Sequence, residues 1–154
     1  MRLLLIIISL LGTACVGQKA VVIGKSENTQ QEPRKLQLLF KDNYSGVEQT
    51  EFHVVRNSKV LKDIFIQINS NRKPGLPVPE VNFTKELLVV YYPGTSRGVG
   101  IWELFFEKES LDTVFIGLKE QTTSKKEPLN VTTTPIYIYK MPLTEKNIIP
   151  SKKY

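Results

Sequence analysis

The sequence is poor in the side chains that most enzymes and metal sites depend on. It has one histidine, one cysteine and one tryptophan among 154 residues. A zinc site of His and Cys ligands needs three or four such side chains, and an intramolecular disulfide needs two cysteines. Nucleophilic catalysis of the Ser-His-Asp or Cys-His type needs an imidazole base, and His53 lies in no recognisable catalytic motif. The sequence therefore predicts no metal, no cofactor and no enzyme activity.

Paired carboxylates are the remaining route to acid–base chemistry, of the kind that glycosidases use. Glu103 and Glu107 fall on one face of a strand-like run. The alternation of these glutamates with apolar residues already explains them as the solvent-facing side of that strand. We therefore do not predict catalysis there.

The excess of positive charge is small and scattered. Lys and Arg number 21 against 15 Asp and Glu, a formal charge of +6. Loss of residues 1–14 would remove only Arg2 and leave +5. Nucleic-acid-binding surfaces usually concentrate such charge in a stripe, which predicts that this protein has no nucleic-acid partner. The dispersed basic pairs are Lys59 and Lys62, Arg72 and Lys73, Lys125 and Lys126, and Lys152 and Lys153.

The only long apolar run lies at the N-terminus. It follows Arg2, extends from Leu3 to Leu11 and is interrupted by Ser9 alone. A membrane-spanning helix needs about 20 apolar residues, so this run is too short and has the length of a signal-peptide core. We predict that residues 1–14 are a signal peptide and that the chain is exported.

The residues that end this run, Leu11-Gly12-Thr13-Ala14-Cys15, resemble a bacterial lipobox. In that motif small residues precede a cysteine that carries the lipid and becomes the first mature residue. The motif predicts lipidation of Cys15 and a protein anchored to the membrane in a bacterial cell envelope. The alternative is an ordinary secretory signal with an incidental cysteine.

Three further segments follow the predicted cleavage site. Residues 15–34 are rich in Gly, Gln, Ser and Asn and predict a flexible tether, which as a coil would span about 22–26 Å. Residues 35–143 carry nearly all the strand and helix patterns and are expected to form one domain. Residues 144–154 are expected to be a C-terminal tail.

The domain pattern is mainly that of strands. The run 87–92 is apolar without alternation, which predicts a central strand covered on both faces. Runs 102–106 and 114–118 alternate and predict a hairpin closed through residues 108–112. His53 alternates with Phe52 and Val54, which places it on the outside of its strand. Other strand-like runs are 36–40, 52–55 and 135–140.

One segment has helical spacing. Between Asn57 and Asn69 the apolar residues cover an arc of about 140°, which is typical of an amphipathic helix. Asn57 or Ser58 supplies an N-cap, and Pro74-Gly75 follows the end. The predicted fold class is α+β, a mainly antiparallel β-sheet domain with one amphipathic helix packed on it. The apolar residues are Val60, Leu61, Ile64, Phe65 and Ile68.

A glycine-rich segment runs from Gly94 to Gly100. It lacks the Gly-Lys-Ser/Thr ending of a P-loop, and a strand-like run follows it instead of a helix. Two interpretations stay open: a structural turn that uses glycine for positive φ, or a recognition loop with Arg97 at its tip and Trp102 at its base. The candidate binding residues are Gly94, Thr95, Ser96, Arg97, Gly98, Val99, Gly100 and Trp102.

The order of several features over residues 45–142 resembles the PrcB-type family of protease-complex subunits. The matching features are Ser45-Gly46 before a strand, the helix Val60–Ile68, the segment Val81–Glu86, the run Thr133-Thr134-Pro135, and Met141-Pro142. The resemblance implies a lipid-anchored, non-catalytic subunit that binds and stabilises another envelope protein, such as an extracytoplasmic subtilisin-like protease.

Two alternatives to this function stay open. One is a protease inhibitor, in which the segments 94–100 and 121–134 together occupy a protease cleft. The other is a small-ligand-binding envelope lipoprotein with an aromatic cleft at the sheet edge. The aromatic side chains proposed for that cleft are Tyr91, Tyr92, Trp102, Tyr137 and Tyr139.

Overall fold

The computed structural model describes residues 35–98, 100–121 and 131–151. The predicted signal peptide, Cys15 and the tether lie outside this part of the chain. In chain order the elements are β1 (Gln37–Asp42), β2 (Glu51–Val55), α1 (Ser58–Ile68), β3 (Glu86–Tyr92), β4 (Ser96–Arg97), β5 (Ile101–Glu109), β6 (Thr113–Gln121), β7 (Thr132–Thr133), β8 (Ile136–Pro142) and β9 (Asn147–Pro150).

The described residues form an α+β fold in three layers, and a four-stranded antiparallel sheet is the middle layer. Its strand order is β1-β8-β3-β2. The central strand β3 pairs with both β2 and β8, and Leu87 to Tyr92 are all buried. This agrees with the unbroken apolar run, because a strand covered on both faces has no solvent side that needs polar residues.

Helix α1 covers one face of this sheet. The side-chain oxygen of Asn57 accepts a hydrogen bond from the backbone N–H of Val60 at 2.9 Å and caps the first turn. Leu61, Phe65 and Ile68 point into the sheet and are buried. Burial of each such side chain stabilises the fold by about 1.5–3 kcal/mol. The amphipathic helix is therefore confirmed, with Leu61, Phe65 and Ile68 of its apolar arc against the sheet.

A three-stranded sheet, in the order β5-β6-β9, covers the opposite face. Strands β5 and β6 form the predicted hairpin, and their side chains Leu104, Val114 and Ile116 are buried against the middle sheet. The alternating pattern of this hairpin reflects a single buried face. The middle sheet thus contributes alternate residues of β3 and β8 to two separate cores.

The C-terminal segment differs from the expected tail. Within residues 144–154, Asn147–Pro150 forms β9, which pairs in parallel with β6. Ile148 is buried between the sheets. The guanidinium of Arg56 donates to the carbonyl oxygens of Thr144 at 2.5 Å and Lys146 at 3.2 Å, which holds the connection to β9. One buried isoleucine in a polar segment is too weak a pattern to predict a strand. The strand is recognised only from its pairing with β6.

None of the helices in the described ranges is both long enough and apolar enough to cross a membrane.

Candidate functional site

The glycine-rich segment is held by its own strand pairing. Ser96–Arg97 forms β4, which pairs with β7 at Thr132–Thr133. The Thr133 hydroxyl donates to the carbonyl oxygen of Gly98 at 2.9 Å, and the Gly98 N–H donates to the carbonyl oxygen of Val131 at 2.9 Å. This pairing also places described residues of the two segments that the inhibitor alternative requires next to each other. Arg97 is exposed at this position, and Val99 lies outside the described residues.

The far end of the segment is fastened to the core. The hydroxyl of Tyr137 donates to the carbonyl oxygen of Gly100 at 2.7 Å. The Trp102 ring meets Tyr91 nearly edge-on, with ring centroids 5.4 Å apart, and it packs against the core between the two sheets. Trp102 therefore has a structural role at the base of this segment.

The aromatic cleft of the ligand-binding alternative is not formed. Tyr91, Tyr137 and Tyr139 are buried between the sheets, whereas Tyr92 faces the helix side. Burial raises the pKa of the first three hydroxyls above the usual value for tyrosine. Alternate residues of a strand point to opposite faces, so Tyr91 and Tyr92 cannot share a cleft. These side chains pack as core residues.

The start of the glycine-rich segment supports a neighbouring loop. The N–H of Thr95 donates to the carbonyl oxygen of Glu48 at 2.9 Å, and the Thr50 hydroxyl donates to that of Pro93 at 2.9 Å. Gly94 has φ +84°, and a Cβ there would lie 2.9 Å from the Glu48 oxygen. Only glycine allows both this conformation and this close approach.

The same loop is held at its other end by one threonine. The backbone N–H of Ser45 donates to the carbonyl oxygen of Thr134 at 2.7 Å, and that of Gly46 donates to its hydroxyl at 3.1 Å. In return, the Thr134 N–H donates to the carbonyl oxygen of Asn43 at 2.9 Å. Residues 43–50 are therefore fixed at both ends.

This fixed loop forms one wall of a groove, which we call the β2–α1 groove. Strand β2 and helix α1 supply the other sides, and the volume of this open groove is about 670 Å³. Ligand sites commonly enclose about 300–1,000 Å³. The groove is lined by Gly46, Val47, Glu48, Gln49, Glu51, His53, Val54, Val55, Val60, Asp63, Ile64, Gln67 and Tyr92.

The single histidine lies in the groove. His53 Nε2 is 2.7 Å from Glu51 Oε2, and the two side chains are 51% and 43% exposed. The His53 ring meets Tyr92 edge-on, with centroids 5.8 Å apart. Burial, with a smaller contribution from the Glu51 charge, raises the pKa of Tyr92 to about 12. The outward position of His53 agrees with the strand alternation.

Charge in the groove is negative. Its described lining includes the carboxylates of Glu48, Glu51 and Asp63 and contains no Lys or Arg. Lys59 reaches Asp63 at 3.0 Å from outside the lining, but its side chain is 86% exposed. Exposed pairs of this kind contribute only about 0–1 kcal/mol. Across the described ranges, no three His, Cys, Asp or Glu side chains are grouped so that they could hold a metal ion.

Sequence reasoning missed the groove. The helical spacing places Val60 and Ile64 on the apolar face of the helix, and Val60 is 40% exposed at the margin of that face. Glu48, Glu51 and Asp63 have no motif that connects them. The sequence did contain one signal: the apolar arc of the helix is wider than the part of it that contacts the sheet, and a short strand lies beside it.

Comparison of the chain with protein-family models, with curated proteins and with solved structures found no match.

Proposed function

We propose that this protein is a non-catalytic, lipid-anchored protein of a bacterial cell envelope that binds and stabilises a partner protein, such as an extracytoplasmic protease. The observation that carries the proposal is the β2–α1 groove, an open concave site with apolar and charged walls. Such mixed lining suits a polypeptide, which presents both apolar side chains and polar backbone groups.

The rigid walls of the groove support the same function. The loop of residues 43–50 is held by Thr95 and Thr134, and the helix is held by buried side chains. A site that is ordered before binding loses little conformational entropy when the partner arrives. The predicted lipid on Cys15 and the predicted tether would keep this groove near envelope partners.

The test is affinity purification of the membrane-extracted full chain, with mass spectrometry of the retained proteins. We compare the wild type with Val60→Lys, which places a long cation in the groove. Its matched control is Ile66→Lys on the same helix, because Ile66 is 69% exposed and does not line the groove. We expect a stoichiometric partner that is retained by Ile66→Lys and lost from Val60→Lys.

A deletion strain provides the test of stabilisation. We expect the abundance of the retained partner to fall when the protein is absent and to recover with wild type or Ile66→Lys. Unchanged abundance of every co-purifying envelope protein would contradict the stabilising function. A partner retained equally by both lysine variants would contradict the role of the groove.

Protease inhibition is a second candidate, favoured by one observation. The β4–β7 pairing places Ser96–Arg97 beside Thr132–Thr133, so described residues of the two segments proposed for a protease cleft are neighbours. A subtilisin-like protease assayed with purified protein should lose activity, and Arg97→Glu should restore that activity. Full protease activity at saturating wild-type protein would eliminate this candidate.

A further inference from the structure

The β2–α1 groove runs along an outer strand of the middle sheet. Within the described residues, strand β2 forms backbone pairs with β3 alone, and β9 of the other sheet approaches β2 without pairing with it. In an antiparallel sheet, an outer strand directs part of its backbone N–H and C=O groups away from its neighbour. Those groups can form a ladder with an added strand.

The two outer strands of this sheet differ in their protection. Strand β1 carries Lys41 and has a register irregularity between Leu38 and Phe40. Both are devices that discourage pairing with another chain. Strand β2 contains no lysine or proline, and its register with β3 is continuous from Glu51 to Val55. The β2 edge is thus the better template for an added strand.

The charge of the groove selects the added strand. Glu48, Glu51 and Asp63 line it, whereas the whole chain carries a formal charge of +6. A negative concave site on a positive protein complements a cationic partner segment. Val60 and Ile64 on the helix wall offer apolar surface beside these carboxylates.

We propose that the groove binds an extended basic segment of the partner protein, which joins the middle sheet as a fifth strand beside β2. This inference rests on the proposed function and specifies the partner's chemistry. Backbone hydrogen bonds supply affinity, and alternate side chains of the added strand enter the groove. One of these is Lys or Arg among the carboxylates, and the next, two residues along, is apolar against Val60 and Ile64.

The first test uses synthetic peptides and the full chain purified in detergent. The probe peptide has about seven residues, the length of a typical strand. Threonine occupies every odd position, and lysine, valine and lysine occupy the even positions in that order. A second peptide replaces both lysines with glutamate, and a third replaces the inner threonines with proline. We expect fluorescence anisotropy to report binding of the lysine peptide alone, because glutamate repels the groove and proline cannot complete the ladder.

The second test removes negative charge from the groove and keeps the shape of its side chains. The triple variant Glu48→Gln, Glu51→Gln, Asp63→Asn should weaken binding of the lysine peptide about tenfold. Its control, Glu80→Gln, Glu107→Gln, Glu145→Gln, changes the net charge equally at exposed positions that do not line the groove. We expect the control to bind the peptide within about twofold of the wild type. Backbone amides of β2 should also gain protection from hydrogen exchange when the peptide binds.

Several outcomes would overturn the inference. If both triple variants weaken binding of the lysine peptide equally, the effect depends on net charge and not on the groove. If the proline peptide binds as tightly as the lysine peptide, strand addition is excluded. A dimer lost on Val60→Lys would make a second copy of the chain the occupant. If no peptide binds while a partner still co-purifies in a Val60-dependent manner, this inference fails and the proposed function stands. If both observations are negative, both proposals fail.

Discussion

Substitution of Gly94 by alanine tests how the glycine-rich segment supports the groove. Gly94 has φ +84°, a conformation that costs an L-residue about 1–2 kcal/mol. A Cβ would also lie 2.9 Å from the carbonyl oxygen of Glu48 and 3.1 Å from the backbone N of Thr50. These are backbone atoms, so the loop must move, and the bond from Thr95 to Glu48 would weaken by about 0.5–1.5 kcal/mol. We expect Gly94→Ala to lower the free energy of unfolding by about 1.5–3.5 kcal/mol.

The matched control is Gly98→Ala. Gly98 also has φ +84°, but a Cβ there would meet none of the described residues within 4 Å. Gly98→Ala should lower the free energy of unfolding only through the positive φ that alanine must adopt, by about 1–2 kcal/mol. Urea unfolding followed by the fluorescence of the single tryptophan, Trp102, measures both variants. Equal losses of stability would refute the argument that contact with the Glu48 loop determines the identity of Gly94.

The remaining predictions concern the core, the helix cap, alkaline stability and the membrane anchor. Phe65→Ala should destabilise the protein by about 3–5 kcal/mol, whereas Ile66→Ala on the exposed face should change stability by less than about 0.5 kcal/mol, as measured by chemical unfolding. Asn57→Ala should cost about 1 kcal/mol in the same assay, and Asn57→Ser should restore most of it. Burial raises the pKa of Tyr92 to about 12, so the folded state holds this proton more tightly than the unfolded state does. Its contribution to stability is complete below pH about 10 and falls by about 1 kcal/mol per pH unit between pH 10 and 12. Tyr92→Phe should flatten that decline in unfolding curves recorded across this range, and an unchanged slope would contradict the assignment. Cys15→Ala should release the protein from the membrane fraction, and persistent membrane association would refute lipidation at that residue.

Local patterns in the sequence were sufficient for most elements of the domain. The helix, its Asn57 cap, the central strand β3 and the β5–β6 hairpin all follow from periodicity and capping residues. The α+β class follows as well, because an amphipathic helix and alternating strands must bury their apolar faces against each other. These features depend on residues within one turn or a few strand positions of each other.

The arrangement of the sheets depended on contacts between distant residues. The sequence does not indicate that β8 lies between β1 and β3, or that β9 joins β6 from a segment with the composition of a tail. Burial on both faces identifies a central strand but not its neighbours. Strand order is decided by the summed packing and hydrogen bonding of the whole chain, which no local pattern contains.

For the candidate site, too, one part followed from the sequence and another part only from the tertiary structure. One of the two interpretations of the segment Gly94–Gly100 was a turn that uses glycine for positive φ, and Gly94 and Gly98 do adopt positive φ. Only the tertiary structure placed Gly94 against the loop of residues 43–50 and brought that loop beside β2 and α1. A groove is formed by side chains from elements that are adjacent in space and separate in sequence. The sequence alone therefore determined the elements and their buried faces, and the packing of those elements decided where a partner could bind.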